Sequence, residues 1–134
     1  MTLFLTKLTA AFTAAVTALF IVTVTPAFSD EVLGQGTFVG KSNHVTTGTA
    51  SLVKAGSGAQ IRFAANFKLD GAPDPWVGFG SNGKYVKATQ LAKLKSNNGA
   101  QTYAVPATID VSKYNEIYVW CSKAGVPLGV AKIK

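Results

Sequence analysis

Cysteine, histidine and arginine are each present once, as Cys121, His44 and Arg62. A domain with one cysteine forms no internal disulfide, so this fold stands on packing alone, unlike many exported domains of its size. One histidine excludes a His-rich zinc or copper centre, and a blue-copper site needs two. The single methionine, Met1, lies in the leader. One arginine among scattered lysines, with no basic-aromatic run, gives no footprint for a nucleic-acid strand. No acidic residue precedes Asp30, and no second long apolar run follows it, so no membrane span is expected beyond the leader.

The leader has the parts of an export signal. Lys7 supplies the positive start, Leu8 to Val24 contains only apolar residues, Ala and Thr, and Pro26 interrupts the run. Ala27-Phe28-Ser29 places small residues at both recognition positions of a cut before Asp30. The apolar run falls just short of the about 18 residues that read as a spanning helix, and an uncleaved anchor is the runner-up reading. Residues 1–29 are therefore expected to be a signal helix, and residues 30–134 one small domain in a periplasmic or secreted location. Removing the leader leaves twelve basic against six acidic side chains. The lysines are dispersed, as on a solvated basic surface.

Glycine and proline punctuate the mature chain, with β-branched and aromatic residues between them, which predicts many short strands. Gln60 to Phe67 alternates Ile61, Phe63, Ala65 and Phe67 with more polar neighbours. Thr37 to Val39, Thr47 to Val53, Trp76 to Phe79, Gln101 to Val105, Glu116 to Cys121 and Leu128 to Ile133 complete the expected set. Only Ala88 to Lys95 hints at a helical turn. The fold class is all-β, a small antiparallel sandwich or barrel after the signal helix. Alternation groups Ile117, Val119 and Cys121 on one face and Tyr118 and Trp120 on the other, which argues for a buried thiol. A bulge at Gly129 would bring Leu128, Ala131 and Ile133 into a common phase.

Chemistry-bearing sets are sparse. Asp70 and Asp74 flank a proline turn, where aspartate ordinarily bonds its own backbone. Cys121 with His44 is a conceivable nucleophile and base, but no local motif supports it, and an enzyme is the least favoured class. Read in order, Gly36-x-Phe38, His44-x-x-x-Gly48, Phe67-x-x-x-Gly71-x-Pro73-Asp74, Leu91-x-x-Leu94-Lys95-x-x-x-Gly99-x-Gln101-x-Tyr103-x-Val105-Pro106, Val119-Trp120-Cys121 and Val126-x-Leu128-Gly129-x-Ala131-x-Ile133 form a series. That series resembles the DM-thirteen domain family, the Skeletor-type electron-transfer module, from Gly34 to Ile133.

The resemblance implies a β domain with one signature cysteine near its end, at Cys121. It implies redox work by a bare thiol or through a held group such as haem, beside a redox or cell-envelope protein partner. His44 falls at the family's N-terminal histidine position and is the imidazole available as a second ligand, while Lys123 or His44 could stabilise a thiolate. Ala124 and Leu128 stand where the family usually has phenylalanine. Space beside Cys121 would then be lined by Trp120, Tyr103 and Leu128. The other reading is a binding or structural module in which Cys121 is core packing and Trp76, Tyr118 or Trp120 is an exposed contact.

Overall fold

The computed structural model describes residues 13–23 and 30–134. The signal-helix expectation, with Lys7 and the Ala27-Phe28-Ser29 cut, falls mainly outside those residues.

The domain is all-β and every strand pairing in it is antiparallel. The strands are β1 (Val32–Gly40), β2 (Thr46–Thr47), β3 (Thr49–Ala55), β4 (Gly58–Phe63), β5 (Lys68–Leu69) and β6 (Pro75–Ser81). They continue with β7 (Lys84–Tyr85), β8 (Ala92–Lys93), β9 (Gln101–Val105), β10 (Glu116–Cys121) and β11 (Val126–Lys132). Among the described residues, nine strands make one sheet in the order β7-β6-β10-β11-β1-β3-β4-β9, with β8 also on β6. The small β2–β5 pair stands apart. The sheet curls into a half-barrel around one apolar core.

Strand β1 makes the curl. Its first part, Val32 to Thr37, pairs with β3, and its last residues, Phe38 to Gly40, pair with β11. Where the strand passes from one partner to the other, glycine is obligatory. A β-carbon on Gly36 would lie 1.8 Å from the Lys132 carbonyl oxygen, and one on Gly34 would lie 2.6 Å from that of Ile133. Both distances are far inside van der Waals contact, so backbone meets backbone only because the side chains are missing.

The inner face carries the core. Leu52, Ile61, Val77, Phe79, Ile117, Val119 and Leu128 are fully buried there. Phe38, Phe63 and Phe67 form a mutually packed trio with centroid spacings of 4.6 to 5.4 Å, within the range of favourable ring contacts. The alternation expected for Gln60 to Phe67 holds as far as Phe63. There the chain turns: Asn66 Oδ1 accepts from Thr49 N–H at 3.0 Å and Phe67 N–H donates to Ala64 at 3.0 Å. Ala65 is consequently exposed and Phe67 reaches the core from a turn rather than a strand.

The bulge near Gly129 is present, one position earlier than expected. Val119 pairs with Gly129 and Trp120 with Pro127, leaving Leu128 as the extra residue. Gly129 itself serves close packing, since a β-carbon there would lie 2.5 Å from Thr46 Cγ2. Thr46 Oγ1 donates to the bulged Leu128 carbonyl at 2.8 Å. The expected helical turn becomes a single 3-10 turn at Lys87–Thr89, and after Gln90 and Leu91 the chain enters β8.

Gly36→Ala is expected to destabilise the domain by about 3 kcal/mol, because the new methyl can be accommodated only by separating β1 from β11. Urea denaturation checks this; a loss below about 0.5 kcal/mol would mean that the two strands are not held against each other as described.

Candidate functional site

Cys121 is the last residue of β10 and lies between Pro75 on β6 and Val126 on β11. It is 1 % exposed and belongs to the apolar core. The short turn Ser122-Lys123-Ala124-Gly125 follows, closed by Gly125 N–H on the Cys121 carbonyl at 2.8 Å, with Gly125 in the left-handed region. Lys123 is exposed in that turn.

His44 sits in the loop after β1, where Ser42 and Asn43 both have positive φ. Its Nδ1 donates to Asp70 Oδ1 at 2.8 Å. Asp70 Oδ2 accepts from Val45 N–H at 3.0 Å, and Asp70 N–H returns a bond to the Val45 carbonyl at 3.0 Å. These contacts hold the Asp70 carboxyl below its ordinary value of 3.8, the Val45 N–H acting most strongly and the His44 ring next.

The segment Asp70-Gly71-Ala72-Pro73-Asp74 links the two sequence candidates. Its first residue is bonded to His44, and the carbonyl of its last, Asp74, accepts from Ser122 N–H at 3.0 Å, beside Cys121. Five residues span at most about 14 Å between their end α-carbons. His44 and Ser122, the neighbour of Cys121, are thus bonded to the two ends of one short segment. The imidazole engages Asp70, while the sulfur faces the core.

Haem requires an apolar slot open beside its ligand. Cys121 is enclosed in packed side chains, and two grooves in the domain surface, described below, are lined by neither Cys121 nor His44. The residues as placed do not fit haem. Among the described residues no three His, Cys, Asp or Glu side chains group in a way that could hold a metal ion.

Trp120, Tyr103 and Leu128 do not line a common space. Leu128 and Tyr103 are in the core, and Tyr103 OH donates to Gln101 Oε1 and accepts from Lys95 N–H at 2.9 Å. Burial raises the Tyr103 phenol above its ordinary value. Trp120 is on the outer face, stacked on Tyr85 at 4.4 Å with an 11° interplanar angle. Tyr85 also meets Tyr118 at 5.5 Å. The outer face of β6 makes room for these rings. A β-carbon on Gly80 would lie 2.1 Å from the Tyr118 ring, and one on Gly78 would lie 3.0 Å from that of Tyr85. Tyr118 is therefore 2 % exposed rather than a free aromatic. Desolvation, with the Glu116 carboxylate second, pushes its phenol up to about 12, and burial alone does the same for Tyr85. Trp76 Nε1 donates to Asp74 Oδ1 at 2.9 Å, so the Asp74 carboxylate holds the indole rather than the backbone of its own turn.

Three participants escaped the sequence reading. Asp70 looked like an ordinary turn residue, and only the fold brings His44 to it. Tyr85 belongs to the hairpin turning at Asn82-Gly83, a dipeptide that signals such turns and could have located β7. Glu116 begins β10 with its carboxylate accepting from Gly83 N–H at 2.7 Å, a partner distant in sequence.

The larger groove, about 810 Å³, crosses the outer face of β1, β11 and β10, with Val39 and Val130 in its lining. The smaller, about 390 Å³, lies beside the β3–β4 hairpin, with Lys54 and Ile109 in its wall.

Residues 37–133 match the family described as Electron transfer DM13. No curated protein and no solved structure matches the chain.

Because the Asp70 carboxyl is depressed, its contribution to stability is complete above the ordinary value and is lost as pH falls through the folded-state value. The carboxyl resonance of Asp70 is expected to titrate below 3.8, and His44→Ala to raise its midpoint. An unchanged midpoint in the variant would show that the ion pair does not hold the segment.

Proposed function

The chain belongs to the electron-transfer DM13 family, and from that premise we propose that it is an exported electron-transfer accessory domain whose redox group is the thiol of Cys121. The observation that carries the choice of a bare thiol over a haem ligand is the placement of Cys121. It is enclosed by core side chains with no slot for a flat cofactor, yet it is the terminal residue of its strand. The Ser122–Gly125 turn adjoins Cys121 at the strand end, and in this reading a local opening there uncovers the sulfur. Local openings of this kind cost less than global unfolding.

The reaction within reach of one thiol is exchange. The Cys121 thiolate attacks a disulfide of a redox partner, one S–S bond forms as another breaks, and the displaced sulfur leaves as thiolate. His44 acts in this scheme as an anchor of the Asp70–Asp74 segment rather than as a ligand. Export is supported by the leader, with its positive start, apolar run and small-residue cut before Asp30. The domain then works in the periplasm or outside the cell beside an envelope or redox protein.

A second reading keeps Cys121 as core packing in a binding module. Its 1 % exposure favours this, since buried free cysteine behaves as a small apolar side chain.

One experiment separates the two. The native protein is incubated with oxidised glutathione, and the rate of mixed-disulfide formation is compared with the rate of global unfolding under the same conditions. The thiol reading expects modification faster than unfolding, abolished in Cys121→Ser. Modification limited to the unfolding rate would leave core packing as the role of Cys121. Protein recovered from a haem-competent periplasm is expected to lack a Soret band, and its N-terminal residue to be Asp30.

A further inference from the structure

The larger groove has a charge pattern that the thiol chemistry does not use. On the outer face, the side chains of Thr37, Val39 and Lys41 alternate along β1 and its exit, and Val130 and Lys132 do so along β11. Val39 and Val130 are directly paired across the two strands, and Val39 is 59 % exposed. Pro127 extends this apolar centre, and the buried Tyr118 lies beneath it. Lys41 stands at one end of the groove, and Lys132 and Lys134 stand at the other.

Among the described residues, no carboxylate forms an ion pair with these three lysines. Glu116 is the one acid in the groove lining, and it is 3 % exposed with its carboxylate on the Gly83 N–H. Lys134 Nζ donates to the Val111 carbonyl at 3.4 Å, so Lys41 and Lys132 are the cations that bracket the strip, with Val39 open to solvent and Val130, 7 % exposed, beneath it in the same rung.

The spacing selects among anions. Continuing the β1–β11 register places Lys132 opposite Thr37, four residues from Lys41, or about 13 Å along the strand. A single phosphate or carboxylate reaches one end. An extended segment with acidic residues at both ends and an aliphatic residue between them reaches both and covers the valine pair.

We propose that the groove over β1, β11 and β10 docks an acidic, extended segment of a partner protein, its carboxylates on Lys41 and Lys132 and its apolar side chain on Val39. Charge complementarity of this kind steers association and fixes register, and it weakens as salt rises. The surface is separate from the Cys121 thiol, which faces the inside of the sheet, and the proposal stands whichever role that thiol has.

The test uses the full chain and a short synthetic peptide with glutamates at both ends and leucine at its centre. Amide shifts are followed on titration, with inorganic phosphate as the comparison ligand. The peptide is expected to move Val39, Val130 and Lys132. The double variant Lys41→Glu, Lys132→Glu is expected to weaken binding about tenfold, and Lys68→Glu, Lys87→Glu, at exposed lysines elsewhere, by less than about twofold. Cys121→Ser should leave the affinity unchanged. Equal losses from both lysine pairs would overturn the proposal, reducing it to overall charge. Shifts confined to residues outside the groove would also overturn it, as would phosphate binding these residues as tightly as the peptide. Lys41→Gln with Lys132→Gln repeats the comparison if charge reversal disturbs the fold.

Discussion

The contact between the backbones of β1 and β11 is the constraint on which the rest of the domain depends. Gly34 and Gly36 let β1 lie against the carbonyls of Ile133 and Lys132, and the strand can then serve β3 with one part and β11 with the other. Any side chain at Gly36 would separate the two leaves of the sheet. The curl that results gives the domain one continuous core instead of two exposed apolar faces. It also sets the two faces of the sheet. The inner face encloses Cys121 among aliphatic side chains, while the outer face beside the same corner carries the valine pair and its lysines.

Packing on the outer face follows from a second economy of side chains. Gly78 and Gly80 leave a bare strip on β6, and Tyr85, Tyr118 and Trp120 lie over it and beside it. Aromatic rings covering strand glycines restore the contact that those glycines give up. The same layer takes Tyr118 out of solvent, so aromatic residues that alternation places on the solvent side are in fact part of the structure. Asn82 and Asn115 bond to each other beside this layer, and Glu116 fixes the Gly83 amide, so the hairpin bearing Tyr85 is held from β10.

Much of the fold was legible in the sequence because it is local. The strands Gln101–Val105 and Glu116–Cys121 fall where alternation put them, and the phase conflict around Gly129 marked a real bulge. The run through Phe67 was misjudged because Asn66 and Ala64 make a turn with Thr49 and Phe67, and alternation is blind to such bonds. The site was legible only in part. A strand face disclosed the burial of Cys121, and the family resemblance singled out His44. The Asp70 partnership is a tertiary contact between loops, and no spacing rule announces it. The valine rung between lysines was equally hidden, since it joins two strands from opposite ends of the domain.

The double duty of β1 bears on the order in which the molecule is assembled. Its first partner, β3, follows within a few residues, but β11 is the last strand of the chain. Closing that pairing means joining strands from the two ends of the domain, a non-local step with a high entropic cost. The β3–β4 hairpin and its neighbours can form while β10 and β11 are still undocked. Cys121 lies on the strand next to β11, so enclosing the one thiol of the chain in the core goes with this late pairing, which the glycines of β1 permit.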